Sequence, residues 1–265
     1  MTQPEESRIS IEQRGHLLFI GLNRPAKRNA FDRQMLDELA MAYARLEDSD
    51  DVRCGVLYAE GEMFTAGLDL ASLAPTIATS GILEYPENSI DPLNLYGKRT
   101  RTKPLVAAVQ GKCLTVGIEL LLATDVRIAS ETATFAQIEI KRGIFPFGGA
   151  TLRFPETAGW GNAMRWLLTG DEFNAAEALR IGLVQEVAEH GKHIDKAIEI
   201  AERIAAQAPL GVRATIESAR KLQRDGFDAA ARDLMPQVLK LFKTEDAREG
   251  VQSFIERRDG NFSGR

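Results

Sequence analysis

Two cysteines and three histidines are few for a chain of 265 residues, and this limits the chemistry available. Cys54 and Cys113 each sit in an apolar, strand-like run, so both read as small buried side chains and not as a disulfide or a metal site. His190 and His193 flank Gly191-Lys192 in a stretch that reads as an exposed loop, with no Asp, Glu or Cys set to complete a ligand shell. No metal site is expected. The Gly-X-Ser-X-Gly elbow of serine hydrolases is missing. No apolar run approaches the ~18 residues of a membrane span, so no membrane partner is expected. Lys and Arg (33) are outnumbered by Asp and Glu (38), and a net charge of −5 gives no general affinity for nucleic acid. The first residues, Met1 to Ser7, are polar and acidic, unlike a signal or transit peptide. A cytoplasmic protein is the simplest expectation.

What is present suits a globular α/β chain. Hydrophobic residues make up 44% and charged residues 27%, enough apolar material for a substantial core. The first half alternates strand and helix signals. Leu17 to Ile20, Val52 to Ala59, Leu105 to Val109 and Asp125 to Ala129 read as strands, the third apolar enough to be buried on both faces. Asn29 or Asp32 can cap a helix carrying Met35, Leu36, Leu39, Ala42, Tyr43 and Leu46, and a second helix is expected from about Gly117 to Ala123. The second half reads as mostly helical: Asn162–Leu168, Asn174–Arg180, Asp195–Ala208 stopped by Pro209, Val212–Arg224, Asp228–Phe242 with a kink or break at Pro236, and Glu245–Arg258 with Val251, Phe254 and Ile255 inward. The segment Ala71–Arg101 reads either as a mobile loop over a site or as an ordered surface excursion with a short helix. Its basic run, Lys98-Arg99-Thr100-Arg101-Thr102-Lys103, reads as a solvated helix face that also offers charge to phosphates.

Two glutamates stand out. Glu119, in Gly117-Ile118-Glu119-Leu120, falls in the first turn of its helix among apolar neighbours, where desolvation would raise its pKa to a useful acid–base value. Glu139 closes Phe135-Ala136-Gln137-Ile138-Glu139 and precedes Lys141-Arg142, so it is either a second acid–base group or one member of a surface ion pair. Two turns, Ala66-Gly67 and Val116-Gly117, offer small residues and exposed amides that can hold an oxyanion. Each element alone is weak; the ordered set is specific.

That set runs through Leu22-Asn23-Arg24-Pro25 with Asn29-Ala30, Phe64-Thr65-Ala66-Gly67-Leu68-Asp69-Leu70 and Lys103-Pro104 to Gly111. It continues through Gly117-Ile118-Glu119-Leu120, Phe135 to Glu139, Gly143-Ile144-Phe145-Pro146, Leu168-Thr169-Gly170 and Ala178 to Val184. It resembles the crotonase family over roughly residues 15 to 262, and within it the enoyl-CoA hydratases. The resemblance implies a spiral of ββα units over residues 1–159 that carries the active site. A helical C-terminal region over 160–265 would build a homotrimer or homohexamer. It implies an acyl-CoA thioester as substrate, with coenzyme A part of that substrate and no separate cofactor. The backbone amides of Ala66 and Val116 would form the oxyanion hole. Glu139 would protonate the α carbon and Glu119 act as base toward water. Lys27 and Arg28 would meet CoA phosphates, and Ala66, Gly67, Leu68, Asp69 and Gly117 would line the substrate.

Isomerases, hydrolases and decarboxylases share the family, as would a non-catalytic acyl-CoA-binding protein. The pair of glutamates favours hydration. Three departures from the hydratase pattern bear on the pocket. Thr115 and Val116 stand where glycines are usual, Phe147 adds bulk after Pro146, and Ser263 stands where a lysine often contacts CoA.

Overall fold

A computed structural model describes residues 6–80, 84–96 and 99–265. Residues 81–83, 97 and 98 of the segment Ala71–Arg101, Lys98 of its basic run among them, and Met1 to Glu5 lie outside the described residues.

The chain opens with an antiparallel hairpin of β1 (Ile9–Arg14) and β2 (Leu17–Leu22). β1 left no signal in the sequence, because Ile11 to Arg14 on this sheet edge are exposed. Asp32, of the two candidate caps, starts α1 (Arg33–Asp48): its carboxylate accepts the Met35 N–H at 2.9 Å. Asn29 does different work. Fully buried at φ 50°, it donates to Glu60 O and Met63 O and accepts the Arg24 N–H, so it pins the 24–31 hook to the 60–63 turn.

β3 (Cys54–Ala59) pairs parallel with β2, and α2 (Leu70–Ser80) follows the Phe64–Asp69 turn. The described part of the 71–101 segment is thus the ordered excursion with a helix. β4 (Leu105–Val109) is wholly buried, as its composition predicts. The basic run before it is not a solvated face. Arg101 is 3% exposed and pairs with Asp125 at 2.6 Å, while Lys103 is 5% exposed and donates to Ser49 O. Acceptors that only the fold brings near, invisible to local charge counting, draw these cations inward.

From here the chain alternates between two sheets. β5 (Lys112–Leu114) starts the second, α3 (Val116–Leu122) crosses over, and β6 (Val126–Ser130) returns to pair parallel with β4. β7 (Thr134–Ala136) pairs parallel with β5. After α4 (Ala150–Ala158) and α5 (Trp160–Thr169), β8 (Phe173–Asn174) joins β7, α6 (Ala175–Arg180) follows, and β9 (Glu186–Ala188) closes the first sheet beside β6. The six-stranded order is β1-β2-β3-β4-β6-β9 and the three-stranded order β5-β7-β8, the expected spiral. Residue 160 marks no break in it: β9 is an edge strand of the first sheet, and α7 (His193–Ala205) covers that sheet through Ala197, Ala201 and Ala205.

Three helices remain. Pro209 does not itself end a helix, since α7 stops at Ala205: it is the first residue of α8 (Pro209–Asp225), where its missing N–H needs no partner. α9 (Phe227–Leu241) continues through Pro236 without a break. In α10 (Glu245–Glu256) the expected orientation is reversed. Val251, Phe254 and Ile255 are 59%, 84% and 68% exposed. The inner face is polar instead: buried Asp246 accepts the N–H groups of Ser263 and Gly264 and holds the C-terminal ribbon against the helix. No helix among the described residues is long and apolar enough to cross a membrane.

Candidate active site

Glu119 and Glu139 line one pocket of about 200 Å³, on the first turn of α3 and just after β7. Glu119 is 4% exposed. Its Oε1 accepts the Gly148 N–H at 2.6 Å and the Ala150 N–H at 3.3 Å, so the carboxyl sits at the N-terminus of α4. Burial pushes its pKa up to about 7, against the pull of those two amides and the positive charge of Arg153. Gly148 is glycine for a reason: a Cβ there would lie 2.3 Å from Glu119 Oε2.

Glu139 is 7% exposed and forms no ion pair with Lys141 or Arg142; Lys141 pairs with Asp171. Burial pushes its pKa up to about 7, with the Glu119 charge adding to the rise. Gln137, which the sequence reading passed over, is fully buried beside it. The amide orientation that satisfies its neighbours donates to both Glu139 oxygens at 3.0 Å and to Thr115 O at 3.2 Å. A lone amide set among the apolar residues Phe135, Ala136 and Ile138, two residues before the carboxyl, was the available signal.

The amide assignment needs one correction. The Ala66 N–H donates to Arg28 O at 2.9 Å and is not available to a ligand. The next residues pair with Phe31: its N–H donates to Gly67 O, and the Asp69 N–H donates to Phe31 O. In this parallel pairing the N–H of Leu68 turns to the other side, toward the pocket that Leu68 lines, and has no acceptor among the described residues. Val116 keeps its expected place. It is the first residue of α3, so its N–H has no helical acceptor, and it too lines the pocket. Leu68 and Val116, not Ala66 and Val116, are the pair of open amides.

Between them lies Thr115, at φ 50° and ψ −115°. A non-glycine residue there carries roughly 1–3 kcal/mol of strain. The surroundings hold it: Thr115 N donates to Ala136 O, and Thr115 O accepts from Ile118 N.

Other expected site residues do structural work. Gly117 is buried and leaves room for Thr65 and Cys113, whose atoms would lie 2.5 and 2.8 Å from a Cβ. Gly67 lies beneath Thr115 at φ 101°. Asp69 pairs with Arg24 at 3.1 Å, outside the pocket lining. Lys27 and Arg28 are exposed on the turn beside Ala66 and do not line the pocket. The wall is mostly apolar, with Leu68, Leu70, Ile138, Ile144 and Phe147, and Arg142 is the cation that lines it. His193, read as exposed, is 6% exposed and faces Gln110 Oε1 at 3.3 Å; His190 is exposed. Among the described residues no cluster of three or more His, Cys, Asp or Glu could hold a metal ion.

The sequence profile of the enoyl-CoA hydratase/isomerase family matches residues 12–265. The chain is 37% identical over 257 residues to Enoyl-CoA hydratase EchA19 of Mycobacterium tuberculosis, covering 96% of each chain. It is 30% identical to the 2,3-dehydroadipyl-CoA hydratase of Escherichia coli, over 98% of this chain and 100% of that one. A crystal structure of a probable enoyl-CoA hydratase/isomerase from Mycobacterium abscessus superposes with a TM-score of 0.94 at 57% identity, over 97% of this chain and 99% of the other.

Proposed function

This chain belongs to the enoyl-CoA hydratase/isomerase family, and on that premise we propose that it is an enoyl-CoA hydratase, adding water reversibly to a trans-2-enoyl-CoA. One observation carries the reading: two buried carboxyls, each raised to about 7, share a pocket with two unengaged backbone amides.

The thioester oxygen accepts from the Leu68 and Val116 N–H groups, which draws electron density from the C=C bond and stabilises the enolate. Glu119, ionised, takes a proton from water as the water oxygen bonds to the β carbon. Glu139, protonated, gives its proton to the α carbon, where the former π pair becomes a C–H bond. The carboxyl pair holds one proton before and after, now on the other member. Two neighbouring acids that both titrate near neutrality favour this singly protonated state. The reading asks for no cofactor beyond the CoA that the substrate carries. Lys27 and Arg28, exposed and without ion pairs among the described residues, would meet its phosphates. The apolar wall, with Phe147, would enclose the acyl group.

Crotonyl-CoA tests the activity. Hydration is expected to remove the conjugated ultraviolet absorbance without releasing thiol. Unchanged absorbance across a panel of enoyl-CoA chain lengths, or free thiol instead, would overturn the proposal.

The exposed Phe227, Phe242 and Phe254 on the last helices, 74%, 66% and 84% exposed, support a homotrimer or a homohexamer built through this region. Phe254→Asp is expected to shift the light-scattering mass from a trimer or hexamer toward the single chain. A wild-type mass equal to one chain would exclude the assembly.

A further inference from the structure

Thr115 has a role that its strained backbone does not explain. Thr115 lines the pocket together with Leu68 and Val116, directly before Val116 in the chain and with its side chain against the Gly67 turn. Its Oγ1 stands 2.1 Å from where a Cβ on Gly67 would be, which places the hydroxyl directly over that turn. At Gly67 itself both backbone groups are engaged: the N–H donates to Thr65 Oγ1, and the carbonyl oxygen accepts from Phe31 N. Thr115 Oγ1 has no hydrogen-bond partner among the described residues. A glycine would sit at φ 50° and ψ −115° without strain, so a side chain held there against its backbone preference points to a use for it.

We propose that the Thr115 hydroxyl is a third hydrogen-bond donor to the thioester oxygen, beside the Leu68 and Val116 amides. The proposal rests on the hydratase reading above. The hydrogen bond it donates would strengthen as the carbonyl oxygen gains charge, so its effect falls on turnover more than on ground-state binding.

Four variants and two readouts test it: turnover of an enoyl-CoA, and the carbonyl stretch of a bound, unreactive saturated acyl-CoA labelled at the thioester carbon. Thr115→Ala keeps the strained backbone and loses the hydroxyl; Thr115→Gly loses both. Each is expected to lower kcat about 10-fold with a smaller change in KM, and to move the carbonyl stretch toward its value in solution. Thr115→Ser is expected to restore both, and Thr115→Gly to melt no lower than Thr115→Ala. Wild-type turnover and carbonyl frequency in the Ala variant would overturn the third donor. So would a loss confined to the Gly variant, which would make the effect one of backbone shape. Glu119→Gln serves as the control: if it is inactive while the Thr115 series is flat, the hydratase reading stands and this inference alone fails.

Discussion

Glu119→Gln and Glu139→Gln are each expected to lower turnover by about 10²-fold or more, the loss typical of a missing general acid or base. Glutamine keeps the shape, and at position 119 still accepts from the Gly148 and Ala150 amides, but at either position it can neither take nor give the proton. Acyl-CoA binding should survive, because the Leu68 and Val116 amides are unchanged. Near wild-type turnover in both variants would end the mechanism.

The same substitutions carry a stability signature. Glu119 has a folded pKa raised from 4.5 to about 7 by burial. A raised carboxyl stabilises the fold fully below the unfolded pKa, near 4.5, and loses that contribution as pH rises through 7. A shift of this size corresponds to roughly 3 kcal/mol for one group. Wild type should therefore weaken relative to Glu119→Gln between about pH 4.5 and 7. Thermal melts at pH 5 and pH 8 measure this directly, and a gap between the two proteins that does not change with pH would refute the buried, raised carboxyl. Glu139 behaves in the same sense, but the two contributions do not add, because each charge raises the cost of the other.

The second large effect is expected from a single methyl group. Gly148→Ala places a Cβ 2.3 Å from Glu119 Oε2 and 2.7 Å from its Cδ. Leu93, the other neighbour at 3.0 Å, can yield at its side-chain end. The carboxyl cannot yield while it holds the Gly148 N–H, so that bond breaks and Glu119 swings out of line. Turnover should fall on the order of 10²-fold with a modest change in Tm, because the geometry of the base is lost and the fold is kept. Adding Gly148→Ala to Glu119→Gln should cost little more, since both act through one group. Fully additive losses would place the effect elsewhere.

Both glutamates were legible in the sequence, because a carboxyl in an apolar first turn and another closing an apolar run are local signals, which the ordered set of motifs made specific. The Asp32 cap and the buried strand Leu105–Val109 were legible for the same reason. Which amide stays open was not. Ala66 loses its N–H to Arg28 and Leu68 keeps its own because of a pairing between segments far apart in the chain. Nor could periodicity orient α10. It marks Val251, Phe254 and Ile255 as one face, but a buried aspartate binding the C-terminal ribbon decides which face turns in. Arg101 and Lys103 misled by charge alone, since their acceptors, Asp125 and Ser49, are brought to them only by the fold.

The bond from Ala66 N to Arg28 O, with Phe31 clasped by Gly67 and Asp69, makes the 28–31 hook and the 66–69 turn one continuous ribbon. A group docked on the cationic outer end of that ribbon would be linked through these main-chain bonds to the turn that carries the open amide. Remote anchoring and carbonyl alignment would then share one piece of backbone, a route by which a handle far from the reacting bond could bear on it.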